Sequence, residues 1–252
     1  MDLELSRRTV PRLIVRETSP STNSELLALA AAESLPPFTT LVTLDQTAGR
    51  GRLDRSWVAP AGASLAISVL VPFPAEGAGW IPLVAGVAMR RAVDGVLEDP
   101  RAWLKWPNDV LVDGRKACGI LAETAAAGIV VGAGLNVGMS AEQLPVATAT
   151  SLAIAGVASE EGLVDRVLAA YLTALREGVE TLIRSGADRV RADVRAACST
   201  IGREVHVELP DGRNIVGRAV DIDDDGRLIV RADVGETVAV AAGDVTHVRT
   251  AG

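Results

Sequence analysis

Residues 105–122 run Lys-Trp-Pro-Asn-Asp-Val-Leu-Val-Asp-Gly-Arg-Lys-Ala-Cys-Gly-Ile-Leu-Ala, with Asp113-Gly114 between two apolar stretches. An Asp-Gly step in that setting predicts a two-residue β-hairpin, because both central positions of the favoured turn need positive φ. Such a turn sets Leu111 opposite Lys116 and Asp109 diagonal to Lys116 on one sheet face, roughly 7–8 Å away. That gap suits a phosphate, or a magnesium ion with a phosphate, between carboxylate and ammonium. A plain cross-strand ion pair is the alternative. Lys105, Asn108 and Asp109 cluster at the end of the apolar strand 102–106, where a turn alone would not call for all three.

Working outward, further strands are expected at 39–44, 64–71 and 129–131. Thr22-x-x-Glu25 has capping-box spacing and opens a helix through Leu26, Leu27 and Leu29, ending before Pro36-Pro37. A buried helix is expected over 81–97, carrying Val84, Val87, Ala88 and Leu97. A longer one over 163–184 has Val164, Val167, Leu168, Tyr171, Leu175, Val179 and Leu182 on one face. After Cys198 the helical runs stop, and short strands alternate with turns at Asp211-Gly212, Asp225-Gly226 and Val234-Gly235. Five strands in so little chain predict a small β-barrel. The fold class is therefore α+β (mixed α/β), with a larger unit at 1–199 and a barrel at 200–252.

Composition narrows the function classes. A 252-residue chain with 48% hydrophobic and 23% charged residues is an ordinary globular protein. Its 25 Lys+Arg against 32 Asp+Glu give a net charge of −7, and only 3% of residues are aromatic, which opposes non-specific nucleic-acid binding. The charged N-terminus lacks a signal peptide's apolar core, no apolar run is long enough to cross a bilayer, and two cysteines suit a reducing compartment. These features predict a cytoplasmic enzyme or binding module with no membrane or nucleic-acid partner.

Three other stretches carry possible chemistry. In Gly49-Arg50-Gly51-Arg52, glycines allow close backbone approach while guanidinium groups recognise phosphate or carboxylate; a solvated turn is the plainer alternative. Gly132-Ala133-Gly134-Leu135-Asn136 follows a strand but lacks a dinucleotide fingerprint's third glycine, since Val137 stands there. It can admit a flat ring, or be a turn. Asp221-x-Asp223-x-Asp225-Gly226 opens like a calcium loop, but Ala232 occupies the position of the bidentate glutamate, so a hairpin turn is expected. His206 and His247 have no metal-ligand spacing.

Taken in order, Ser21-Thr22-Asn23, the run Gln46 to Arg52, Trp57, Lys105 to Asp109, Arg115-Lys116-x-x-Gly119-Ile120-Leu121 and Gly132-x-Gly134-x-Asn136 resemble the biotin protein ligases. Gly243-Asp244-Val245-x-His247-Val248 resembles the end of that family's C-terminal domain. The resemblance implies a catalytic domain like those of class II aminoacyl-tRNA synthetases and lipoate ligases, followed by an SH3-like barrel. It implies formation of biotinyl-5′-AMP from biotin and MgATP, then transfer to a lysine of a biotin carboxyl carrier protein or domain, by a monomer or homodimer.

The resemblance also assigns roles. Ser21, Thr22, Asn23 and Gln46 would bind the uncharged ureido head of biotin, with Gly49, Arg50, Gly51, Arg52, Lys116, Gly119, Gly132 and Gly134 completing its site. Arg50, Arg52, Trp57, Lys105, Asn108, Asp109 and Asn136 would serve ATP and the adenylate. Lys116 and Arg52 would be catalytic, and Asp109 a contact to MgATP without a dedicated metal site. The family loop commonly continues with a glycine where Asp54 stands; a stiffer, charged residue there bears on loop closure and adenylate retention. Only twenty residues precede Ser21, so the DNA-binding domain of some relatives is not expected. A lipoate transferase, a biotin-responsive repressor and a binding module without catalysis are the alternatives.

Overall fold

The computed structural model describes residues 1–53, 55–232 and 235–248. Asp54 and Val234, both singled out in the sequence, therefore lie outside the described residues. The elements run α1 (Glu4–Thr9), β1 (Leu13–Arg16), α2 (Thr22–Ala32), β2 (Thr40–Thr43), β3 (Gly49–Arg50), β4 (Ser56–Trp57), β5 (Ser64–Val71), α3 (Ile81–Asp94), β6 (Ala102–Lys105), β7 (Asp109–Val112), β8 (Arg115–Ala125), β9 (Gly128–Asn136), α4 (Leu163–Ser185), α5 (Ala187–Ala197), β10 (Glu204–Glu208), β11 (Asn214–Ile222), β12 (Leu228–Ala232), β13 (Thr237–Val240) and β14 (Asp244–His247).

A seven-stranded sheet in the order β1-β2-β5-β9-β8-β7-β6 carries the larger part of the chain. Only β1 and β2 pair in parallel; the other neighbours are antiparallel. Alternation along the central strands divides its two faces. Val42, Ile67, Val69 and Val131 join the core with α3 and α4, while Leu41, Leu70 and Val130 pack with Leu26 and Ala30 of α2. Helices on both faces explain why all eight residues of β5 are buried.

The Asp113-Gly114 turn forms as expected, with φ of 50° and 74°, and Leu111 stands opposite Lys116. The diagonal separation expected for Asp109 is corrected. The register slips at Ala117, Asp109 lies opposite Gly119, and Lys116 Nζ reaches Asp109 Oδ1 directly at 2.6 Å. The helix start is also corrected by one residue. Ser21 is the N-cap, accepting from the Ser24 amide at 3.4 Å, and Thr22 is the first helical residue, whose free amide donates to Gln46 Oε1 at 2.9 Å.

The last five strands form an antiparallel sheet in the order β13-β12-β11-β10-β14. No closed barrel is formed among the described residues: β13 and β14 are the sheet's two edges. The aspartates at 221–225 form a turn, as expected. Asp223 accepts from the amides of Asp225 and Arg227, and Asp221 is paired with Arg195. The two sheets meet through main-chain acceptors of this turn. Trp80 Nε1 donates to the Asp224 carbonyl at 2.7 Å and Trp106 Nε1 to that of Gly226 at 3.0 Å. The Trp106–Pro107 peptide is cis.

Five elements were not anticipated: α1, β1, β3, β4 and α5. Leu5 and Ser6 of α1 donate their amides to the Asp165 carboxylate of α4, each at 2.8 Å, and the Ser6 hydroxyl adds a third bond. Burial raises the Asp165 carboxyl, but these three donors outweigh it and hold it below the ordinary aspartate value.

Candidate active site

The cavity opens on the α2 face of the large sheet, beyond the end of the helix. Two cross-strand rows form its floor: Ala66-Gly134-Gly119 and Ser68-Gly132-Leu121. Most of these residues are small, and what lies on the two glycines of β9 explains them. A Cβ on Gly134 would sit 2.6 Å from the Trp57 indole, and one on Gly132 would sit 2.4 Å from Asn23 Oδ1. Neither glycine adopts positive φ. They are small because side chains rest on them, not because their backbone requires it.

The N-terminus of α2 closes one end with neutral polar groups. Ser68 Oγ lies 2.6 Å from Asn23 Oδ1 and 2.8 Å from Thr22 Oγ1, and Thr22 Oγ1 lies 3.2 Å from Gln46 Oε1. Asn23 Nδ2 points the other way, to the Leu121 carbonyl at 3.2 Å and Glu123 Oε2 at 2.8 Å. Asn23 therefore has a fixed orientation, and a chain of uncharged donors and acceptors lines this end.

The rest of the lining includes charged groups. Strands β3 and β4 form a small hairpin, Gly49 opposite Trp57, whose loop leans over the cavity. At its tip Arg52 donates to Asn108 Oδ1 at 3.0 Å, while Arg55 is paired with Asp244 of β14. Asn108 is held in turn by donating Nδ2 to the Ile120 carbonyl at 2.7 Å. Burial lowers the Arg52 guanidinium from its usual value, opposed by Asp109 and Asp244. The Arg55 hydrogen bond holds the Asp244 carboxyl down despite its burial. Arg50, Arg52, Arg55 and Lys116 thus line the cavity against Asp109 and Asp244, a local excess of positive charge in a protein of net charge −7. Lys116 also lies 6.0 Å from the centre of a Trp57 ring, whose buried Nε1 has no partner among the described residues.

The structure brings Ser21, Thr22, Asn23, Gln46, Arg50, Gly51, Arg52, Trp57, Asn108, Asp109, Lys116, Gly119, Gly132 and Gly134 to this one cavity. Gly49 lines the adjoining groove, where a Cβ would meet Gln46 Nε2 at 2.5 Å. Lys105 and Asn136 do not line the cavity. Lys105 stands close enough to Asp244 and His247 to shift both. Asn136, expected at adenine, is buried and donates its amide to the Thr150 carbonyl at 2.9 Å. Ser68, Glu123 and Asp244 were not assigned roles from sequence. Ser68 left one signal, a lone hydroxyl inside an apolar strand, and Asp244 stood in the Gly243–Val248 stretch without a role; Glu123 left none, because it gains its partners from distant parts of the chain. Among the described residues no cluster of three His, Cys, Asp or Glu side chains is arranged for a metal ion.

A cavity with neutral polar groups and a cluster of cationic side chains suits a ligand that carries both an uncharged polar part and an anionic part. Profile comparison gives the class: the Biotin/lipoate A/B protein ligase family matches residues 15–140 and the Biotin protein ligase C terminal domain matches 200–248. The chain belongs to the biotin protein ligase branch of that family. It is 43% identical over 242 residues to the biotin--[acetyl-CoA-carboxylase] ligase of Mycobacterium tuberculosis, covering 94% of this chain and 88% of that one. The Aquifex aeolicus biotin protein ligase, solved in complex with biotin and ATP, superposes with a TM-score of 0.78 at 26% identity, covering 95% of this chain and all of that one. The Leishmania major biotin protein ligase in complex with biotinyl-5-AMP superposes with a TM-score of 0.64 at 26% identity, over 92% of this chain and 99% of that one. No helix among the described residues is long and apolar enough to cross a membrane.

Proposed function

We infer that the protein is an ATP-dependent biotin protein ligase, which forms biotinyl-5′-AMP and transfers biotin to a lysine of a biotin carboxyl carrier protein or domain. The observation that carries this beyond family membership is the cavity's polarity. Thr22, Asn23 and Gln46 give neutral donors and acceptors to the same cavity that Arg50, Arg52 and Lys116 line with positive charge. Biotin has that polarity, an uncharged ureido head and a carboxylate tail.

In the first half-reaction a biotin carboxylate oxygen attacks the α-phosphorus, and pyrophosphate leaves. Lys116, with Arg50 and Arg52, supports the negative charge that builds on the phosphoryl oxygens. Asp109 would be the carboxylate to contact a magnesium ion brought in with ATP, which would supply neutralisation of phosphate charge. The loop carrying Arg50–Arg52 keeps water from the mixed anhydride. In the second half-reaction the carrier amine attacks the acyl carbon, AMP leaves with the bonding pair, and the amine loses a proton. Positioning supplies most of the acceleration there.

Two units are proposed, a catalytic one at 1–199 resembling class II aminoacyl-tRNA synthetases and an SH3-like one at 200–252. Ser21, Gly49, Gly51, Gly119, Gly132 and Gly134 shape the biotin site, Trp57 and Asn108 serve the adenylate, and Lys105 acts at longer range. A direct adenine contact by Asn136 has less support, because its amide is engaged. The protein is proposed to be cytoplasmic, a monomer or homodimer, and without a nucleic-acid partner. Incubating it with a carrier domain, MgATP and either biotin or lipoic acid, read by mass spectrometry, tests the reading. A biotin-sized mass gain on the carrier lysine is expected; lipoyl transfer without biotin transfer overturns it.

A further inference from the structure

We propose that Glu123, on β8, is a positioning residue that couples the neutral end of the cavity to the loop through a single carboxylate oxygen. Its Oε2 accepts from Asn23 Nδ2 at 2.8 Å and from Arg50 Nη2 at 2.6 Å. Asn23 belongs to the first turn of α2 and Arg50 to β3, so no local sequence relation brings the two together. The carboxylate is mostly withdrawn from solvent, with its side chain 24% exposed, while Arg50 is 43% exposed.

The two bonds ask different things of Glu123. Asn23 needs an acceptor. With Ser68 Oγ against its Oδ1, the amide keeps its orientation only while acceptors face Nδ2, and Glu123 is the nearer of the two, the Leu121 carbonyl standing at 3.2 Å. Arg50 needs charge, because a guanidinium on a loop stem is held by a carboxylate more strongly than by a neutral amide oxygen. Glu123 thereby orients the amide at the head end and holds the first stem of the loop against the sheet. It contacts no reacting atom. The proposal rests on Asn23 facing the biotin head.

Substitution separates the two demands. Glu123→Gln keeps an acceptor for Asn23 and loses the charge; Glu123→Ala loses both. Biotin binding to the full chain is measured by calorimetry, and tryptic cleavage within 50–55 of the unliganded chain by mass spectrometry. Glu123→Gln is expected to bind biotin within about twofold of the parent while cleavage quickens about two- to fivefold, the scale of a partly exposed ion pair. Glu123→Ala is expected to lose about tenfold or more in biotin affinity, the scale of a charge-assisted hydrogen bond, with the same quickened cleavage. The far-UV dichroism and the thermal midpoint stay near the parent's in both, which general unfolding would not allow. Parent-like biotin affinity in Glu123→Ala overturns the proposal. So does unchanged cleavage in Glu123→Gln, or equal losses of affinity in both variants. If Glu123→Ala does not fold, Glu123→Gln still decides the loop arm, and Glu123→Leu replaces it for the affinity arm. Asn23→Ala is the control. If it weakens biotin binding while the Glu123 variants do not, Glu123 alone is misassigned; if it leaves binding intact, the biotin-site reading falls with the proposal.

Discussion

Gly132 and Gly134 show how little a residue's own conformation need explain its identity. Both lie in ordinary strand backbone, and their lack of a side chain is accounted for by Asn23 and Trp57 resting on them. Gly132→Ala is therefore expected to push Asn23 from its bonds to Ser68 and Glu123 and to weaken biotin binding about tenfold, with little change in thermal stability; calorimetry beside a thermal melt checks both. Lys116→Ala leaves Asp109 without its partner and removes one of the cationic groups lining the cavity. Pyrophosphate release should fall about 10²–10³-fold in a coupled assay, with near-parent far-UV dichroism. Glycine spacing, Lys116 and the Ser21–Asn23 triplet were legible in the sequence because they are local patterns. Glu123 was not, since it lies 100 residues from Asn23 and 73 from Arg50.

Among the elements, the short β3–β4 hairpin is fastened at three points by arginines. Glu123 holds the stem at Arg50, Asn108 meets Arg52 at the tip, and Asp244 meets Arg55 on the return. The last contact is an exposed ion pair, so its contribution is small and screened by salt. Asp244→Asn should quicken tryptic cleavage of the loop about two- to fivefold at low ionic strength, and the difference should vanish in about 1 M salt. Cleavage equal to the parent at low salt would remove Asp244 from the loop's support. Most elements were legible: periodicity gave α3 and α4, and Asp113-Gly114 gave the β7–β8 turn. The slip at Ala117 was not, because a bulge depends on how facing side chains pack; the ion pair of Lys116 with Asp109 is the plainer of the two alternatives that the hairpin offered. Helix α5 left a faint signal, Val190, Val194 and Ala197 on one face of an otherwise polar segment.

At the scale of the whole molecule, the two sheets are joined where a histidine is kept neutral. Burial, then Lys105 and Arg203, push His247 from 6.5 down to about 4, and its Nε2 stands 3.1 Å from Thr200 Oγ1. Between those values the unfolded chain takes up a proton that the folded one refuses. Stability is therefore lost as pH falls from about 6.5 towards 4, and His247 contributes no further loss below that. Urea midpoints measured from pH 7 to 4 should decline, and His247→Gln should make the decline shallower; parallel slopes would show that His247 is not the group responsible. The overall α+β plan and a strand-rich tail were legible from the switch of pattern after Cys198. The open five-stranded sheet was not distinguishable from a barrel, because closure depends on edge pairing between strands that sequence periodicity treats alike.

The joint between the sheets is made by indole N–H groups of Trp80 and Trp106 gripping carbonyls of the 223–226 turn, with the Gly79 backbone so close to Asp225 that a Cβ would stand 2.2 Å from its carbonyl oxygen. A fastening of that kind recognises the path of the main chain and is indifferent to most of the letters written on it. Asp223, which braces the amides of 225 and 227, and Gly226, at φ 80° against Gly79, are held, while the exposed side chains of Asp224 and Asp225 are free to drift; one inserted residue would unseat the smaller sheet and carry Asp244 away from the loop it steadies.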